Sequence, residues 1–253
     1  MNRFVAAVAS RLRWLGLVLL SAGLLACSSS VPRPKPAELP PDAKLLGVRL
    51  AWTANIGEVG FPLDVKVAGQ SVALANTEGM VSVLDVRTGE KLWQLALAEP
   101  LAAGVGYDGR IAAVMTRNNE LVALEAGREL WRQRLMAPSF TSPLVAGARV
   151  FLLSADRSVI AFDGQTGRRI WSQQRPGEPL VLRQAGVMQA VGDTLVVGLS
   201  GKLVGLNPLN GGVRWEAPIA SPRGTNDVER LVDLVAPASR QGAVVCARAF
   251  QAF

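Results

Sequence analysis

Histidine is absent from all 253 residues, which removes the commonest general base and the commonest zinc ligand together. The serines therefore have no imidazole to activate them, and no Gly-x-Ser-x-Gly phrase is present to mark a nucleophile elbow. Lys and Arg never form a run and do not interleave with aromatics, so the formal charge of +7 does not demand a nucleic-acid partner. The basic residues read as solvated surface. Few windows run a dozen residues without Gly, Pro or Asn, which argues against long helices. No cluster of acids with amides stands out as a cation site. Asp85, Asp163 and Asp193 each fall at turn positions, where Asp usually bonds its own backbone. The sequence offers no catalytic, cofactor-binding or metal-binding residue.

The N-terminus is richer. Residues 1–26 hold Arg3, Arg11 and Arg13 and no acid. The apolar run from Trp14 to Leu20 is shorter than the roughly 20 residues a bilayer span needs, so a cleaved export signal fits. The phrase Leu24-Leu25-Ala26-Cys27 resembles the bacterial lipobox, in which the Cys is diacylated, the chain is cut before it and the new amine is acylated. That resemblance implies Cys27 as the lipidation site. Three acyl chains, at roughly 0.8 kcal/mol per buried CH₂, hold far better than one. Ser28 stands where an Asp would usually retain a lipoprotein at the inner membrane, which is similar to an outer-membrane address. Residues 28–44 are dominated by Ser and Pro and read as an extended spacer. The expected division is a signal over 1–26, a lipidated Cys and tether over 27–44, and a folded domain over 45–253. Losing the signal's three Arg lowers the charge from +7 to +4. With Cys27 acylated, Cys246 has no disulfide partner, and its place in the apolar run Ala243–Ala247 predicts a small buried core residue.

Internal repetition organises the rest. Trp52, Trp93, Trp131, Trp171 and Trp215 are spaced by 41, 38, 40 and 44 residues. The last four end related phrases: LDVRTGEKLW, ALEAGRELW, FDGQTGRRIW and LNPLNGGVRW. Gly89, Gly127, Gly167 and Gly211 each lie four residues before the Trp. Alternating apolar stretches such as Met80–Leu84 and Ser158–Phe162 precede these phrases. The pattern predicts antiparallel strands joined by tight turns, the Gly supplying a positive φ. Gly69, Gly109 and Gly192 open further strand pairs, and one strand breaks at Asp156-Arg157. About four strands per roughly 40 residues is the size of a β-propeller blade. Trp93, Trp131, Trp171 and Trp215 are then blade-docking residues, each able to bury ~200 Å² between neighbours. The glycine-spaced stretch Gly104–Gly109 reads as turns rather than a nucleotide loop.

DVRTGEKLW and DGQTGRRIW resemble the tryptophan-docking motif of the pyrroloquinoline-quinone-like propellers, which usually have eight blades. AGRELW has lost the Thr, and LNPLNGGVRW carries Asn for Asp and Thr. Within that superfamily the chain resembles the BamB family, propeller lipoproteins of the outer-membrane β-barrel assembly machinery. The lipobox and tether suit it. Pro179-Leu180-Val181-Leu182-Arg183 is similar to the family's Leu-x-Leu-Arg loop, and Glu229-Arg230-Leu231-Val232-Asp233 to its Glu-Arg-Leu-x-Asp stretch. The resemblance implies a non-catalytic scaffold without cofactor, lipid-anchored on the periplasmic face of the outer membrane. Its implied partners are the barrel-forming BamA subunit and unfolded outer-membrane proteins. Leu180, Leu182, Arg183 and Asp233 would form the contact surface, with Asp233 either holding Arg183 or meeting the partner directly. Some members carry a second acid where this chain has Val235.

Two other functions share the fold: a periplasmic propeller lipoprotein with another protein partner, and a quinone-dependent dehydrogenase fragment. The enzymes often have a vicinal Cys pair, whereas Cys27 and Cys246 are far apart. Residues 45–253 suffice for about five units of ~40 residues. Gly242–Phe250 looks like the opening strands of a blade whose Gly-x-x-x-Trp phrase does not arrive. The expectation is an all-β, partial propeller of about five blades from a C-terminally truncated product. A closed five-blade ring is the competing arrangement.

Overall fold

A computed structural model describes residues 47–175 and 180–250. The signal, Cys27, the tether and Pro179 lie outside the described residues. Leu50–Phe253 forms a compact unit of its own.

Four antiparallel sheets follow one another, each a four-stranded meander in chain order. Blade 1 comprises β1 (Lys66–Ala68), β2 (Ser71–Ala75), β3 (Met80–Asp85) and β4 (Lys91–Ala96). Blade 2 comprises β5 (Gly106–Tyr107), β6 (Ile111–Met115), β7 (Glu120–Glu125) and β8 (Arg128–Arg134). Blade 3 has β9 (Leu144–Ala146), β10 (Arg149–Leu153), β11 (Ser158–Asp163) and β12 (Arg169–Gln174). Blade 4 has β13 (Met188–Val191), β14 (Thr194–Leu199), β15 (Lys202–Leu206) and β16 (Val213–Pro218). A fifth sheet holds only β17 (Leu234–Gln241) and β18 (Val244–Ala249). No helix occurs among the described residues.

The core lies between sheets, and strand alternation explains how. Successive side chains of a strand point to opposite faces. Ala112 and Val114 of β6 pack toward Ala73, Val81 and Val83 of blade 1. Their neighbours Ile111, Ala113 and Met115 pack toward Val150, Leu152 and Phe162 of blade 3. Central strands are therefore apolar on both faces; β2 and β6 are buried at every position. The first face of blade 1, Val72, Leu74 and Leu84, is covered by Trp52 and Ile56.

Two of the four predicted docking tryptophans, Trp131 and Trp171, join consecutive blades by one geometry, which Trp52 shares at blade 1. Trp131 of blade 2 donates its indole N–H to the Gly164 carbonyl of blade 3 at 2.8 Å. Trp171 of blade 3 donates to Pro208 of blade 4 at 3.0 Å, and Trp52 to Val86 of blade 1 at 3.0 Å. The acceptor always follows the residue that opens the turn: Asp85, Asp163 or Asn207. Gly89, Gly167 and Gly211 close these turns at φ of 75°, 70° and 74°, and a Cβ there would lie 2.6, 2.5 and 2.7 Å from atoms of the preceding blade or Trp52. Glycine is needed for both conformation and space. Blade 2 departs from this. Its β7–β8 turn is the two-residue Ala126-Gly127, with φ of 48° and 76°. Trp93 lies 3.5 Å from a Cβ built on Gly127; among the described residues no acceptor faces its indole N–H.

One feature of these junctions is not visible in the sequence. In all four complete blades the register slips opposite the residue before the Trp, adding Leu92, Leu130, Ile170 or Arg214. A β-bulge re-aims the side chains beside it. The Trp then lies across from Val83, Ala123, Ala161 or Gly205.

Asp85 and Asp163 tie their turns with one carboxylate oxygen each. Asp85 accepts from the amides of Arg87 and Thr88, and Asp163 from those of Gln165 and Thr166. The Thr88 amide chiefly holds the Asp85 carboxyl below its ordinary value, while the Thr166 hydroxyl and amide do so for Asp163. A depressed folded pKa contributes stability that is present above the unfolded value, 3.8, and is lost as pH falls through the folded pKa. In an acid NMR titration, the Thr88 and Thr166 amide resonances are expected to move with midpoints below 3.8. Leu209, whose amide donates to the uncharged Asn207 side chain, stays still. Threonine amides titrating at or above the ordinary carboxylate value would count against the turn assignment.

Cys246 is a correction. The apolar run predicted burial, but Cys246 is exposed. Val245, Ala247 and Ala249 of β18 pack toward blade 4, and alternation turns Cys246 and Val244 to the other face. Among the described residues no fifth docking turn follows Trp215, which is 41% exposed.

Candidate functional site

Two loops predicted to form a contact surface, the β12–β13 connection and the β16–β17 connection, meet at one edge of blades 3 and 4. The second is shaped from within. Glu229 accepts from the Thr225 amide at 2.8 Å and donates its own N–H to Asn226 Oδ1 at 2.9 Å. Leu231 and Val232 are buried and anchor the end of the loop. The first loop is fastened by backbone bonds: Ala236 donates to the Ala185 carbonyl at 2.8 Å, and Gly186 bridges Val235. Gly186 also donates to Thr141 Oγ1 at 2.9 Å. Val235, in the place of a second acid, is buried and serves this seam.

The residue at the centre is Arg157, in the turn between β10 and β11. Its guanidinium pairs with Asp233 Oδ1 at 2.9 Å, with side-chain exposures of 8% and 14%. It also donates to Ser200 Oγ at 2.7 Å and to the Leu180 carbonyl at 2.9 Å. The second Asp233 oxygen accepts from the Leu182 amide at 3.0 Å. Asp233 thus joins both loops to blade 3, and an inward carboxylate with two such partners is a structural strap.

The expected pairing of Asp233 with Arg183 is not formed. Asp233 is turned inward to Arg157, while Arg183 is exposed with its guanidinium carbon 5.4 Å from the Phe140 ring centroid. This is cation–π distance, and it leaves N–H donors for a carboxylate. Leu180 is 39% exposed and Leu182 half-buried. Of the four predicted residues, Leu180 and Arg183 face outward, Leu182 lies between, and Asp233 faces in. Sequence reading passed over Arg157 and Phe140. A signal for Arg157 existed: equivalent turn positions elsewhere hold Gly79, Asn119 and Gly201. Among the described residues no three His, Cys, Asp or Glu side chains converge as metal ligands.

The meandering blades and indole-on-turn junctions define a β-propeller of the pyrroloquinoline-quinone-like class. The quinohemoprotein alcohol dehydrogenase of Comamonas testosteroni shares this fold at a TM-score of 0.52 and 16% identity, over 79% of this chain and 41% of that one. BamB from Moraxella catarrhalis superposes better, at a TM-score of 0.67 and 19% identity, over 79% of this chain and 62% of that one.

The family described as outer membrane protein assembly factor BamB matches residues 77–253, and the chain belongs to it. The outer membrane protein assembly factor BamB of Bordetella pertussis is 38% identical over 247 residues, 94% of this chain and 64% of that protein. The chain therefore spans somewhat less than two thirds of the relative's length.

Proposed function

We propose that the chain is a non-catalytic scaffold lipoprotein of the outer-membrane β-barrel assembly machinery, binding a BamA-like barrel-forming subunit and assisting insertion of unfolded outer-membrane proteins. Cys27 carries the lipid that holds it on the periplasmic face of the outer membrane. Leu180, Leu182 and Arg183 make the contact, with Asp233 fixing their loop from behind. The observation that carries this reading is the exposed Leu180 and Arg183 on a loop strapped to two blades, in a chain of the BamB family. An apolar side chain beside a stacked guanidinium, held rigid before binding, is the chemistry of an interface anchor. The relatives' names as assembly factors support a scaffold over a dehydrogenase.

The test is co-purification of the tagged mature lipoprotein from its native envelope, beside Leu180→Asp and Arg183→Glu. The barrel-forming subunit is expected with the unsubstituted protein. Affinity should fall at least about tenfold in either variant, with thermal stability nearly unchanged because both side chains face outward. A stable, lipidated protein that recovers no barrel-forming subunit, or recovers it equally in all three forms, would end this reading.

A further inference from the structure

In each complete blade, the turn between the second and third strands places a residue in the left-handed region. Gly79, Asn119, Arg157 and Gly201 have φ of 99°, 62°, 64° and 76°. Glycine and asparagine adopt it readily, whereas other L-residues are strained there. Arg157 also has only 7% exposure, so its guanidinium is withdrawn from water as well. Such a choice persists where the surroundings over-determine it. Among the described residues, Arg157 is held by Asp233 of the second loop, the Leu180 carbonyl of the first, and Ser200 in the equivalent turn of blade 4.

We propose that Arg157 is a positioning residue for partner binding, coupling the 180–186 and 219–233 loops so that Leu180 and Arg183 are presented in one fixed arrangement. This rests on the reading of that surface as the partner's contact. Arg157 itself touches no partner. It acts by holding the carbonyl of Leu180 while Asp233, oriented by the same guanidinium, holds the amide of Leu182. The two loops then share one strap: releasing it loosens 180–186 and 231–235 together. Arginine suits this place because its planar fork reaches several acceptors at fixed angles. A lysine ammonium is a point charge on a flexible stem.

The experiment compares the full mature chain with Arg157→Lys and Arg157→Gly, glycine being the residue of the equivalent turns in blades 1 and 4. Hydrogen exchange is followed by mass spectrometry, and affinity is measured for the periplasmic domains of the barrel-forming subunit. Exchange over 180–186 and 231–235 is expected to rise together, at least about tenfold, while β2 and β6 keep their protection. Affinity should fall at least about tenfold, and Arg183→Glu added to Arg157→Lys should cost less than Arg183→Glu alone. If Arg157→Gly fails to fold, Arg157→Lys, which keeps the charge facing Asp233, carries the test. Loosening of one loop without the other, or unchanged affinity with both loosened, overturns the proposal. Exchange that fails to couple leaves the contact surface standing. Binding that ignores Arg183→Glu removes that surface and the positioning role with it.

Discussion

Gly167→Val is expected to lower the melting temperature by on the order of 10 °C, the largest effect of any single methyl-bearing substitution in the docking turns. Gly167 sits at φ 70°, a region that a β-branched residue essentially never adopts. A Cβ there would stand 2.5 Å from Cδ2 of Trp131, whose indole is buried between blades 2 and 3 and donates to Gly164. The ring must move, and its hydrogen bond and packing go with it. Backbone strain and overpacking together suggest about 3–5 kcal/mol; a domain of this size loses roughly 2–4 °C per kcal/mol. Gly69→Val is the control, since Gly69 has φ 59° with no atom within 4 Å of the added Cβ. It carries the strain without the clash. If thermal unfolding followed by circular dichroism showed the two variants equally destabilised, the docking account of Gly167 would be wrong.

Asp233→Ala should also be costly, by on the order of 2–3 kcal/mol, because it removes an ion-pair and hydrogen-bond partner of the buried Arg157 guanidinium. The Leu182 amide loses its acceptor in the same step. Limited trypsin digestion makes this measurable, since Arg183 and Arg223 lie within the two loops and are exposed. Cleavage at both is expected to accelerate in Asp233→Ala, with Asp233→Asn between it and the unsubstituted chain because the amide oxygen can still accept from Leu182. Equal cleavage in all three would show that Asp233 is no strap. A practical corollary concerns the contact surface. Charge reversal at Asp233 would dismantle the loops, so a loss of the proposed partner in that variant could not report on direct contact. Arg183→Glu can.

The blade repeat was legible because its chemistry is local. A Trp, a glycine four residues earlier and an Asp or Asn opening the turn encode one hairpin and one junction within a short phrase. The bulges before Trp93, Trp131, Trp171 and Trp215 escaped notice, since a register slip is set by the paired strand and leaves no residue type of its own. Cys246 was misplaced for a related reason. Its neighbours are all apolar, so composition suggested burial, yet period-two alternation assigns Val245 and Ala247 to the core and turns Cys246 outward. At the loops, residue types on the surface were readable from a family resemblance, but the partner of Asp233 was not. Arg157 lies 76 residues away in sequence, and Asp156-Arg157 reads locally as an ordinary strand break. Pairings between blades are decided by how consecutive sheets pack, which no single phrase carries.

The junction between blades 1 and 2 has a thermal consequence. The Trp52, Trp131 and Trp171 sockets each include an indole-to-carbonyl hydrogen bond, whereas Trp93 meets the short Ala126-Gly127 turn with no such bond among the described residues. That junction relies mainly on apolar contact, with Phe61, Leu95 and Tyr107 packed around its buried aliphatic cluster, beside one bond between the Ser71 and Tyr107 hydroxyls at 2.9 Å. Apolar association weakens on cooling, whereas a hydrogen bond does not depend on the hydration of hydrocarbon. Stacked repeats are held by nearest-neighbour coupling, so cold shifts the weakest link in the row. Near freezing, the seam between blades 1 and 2 is expected to loosen before the junctions made by Trp131 and Trp171.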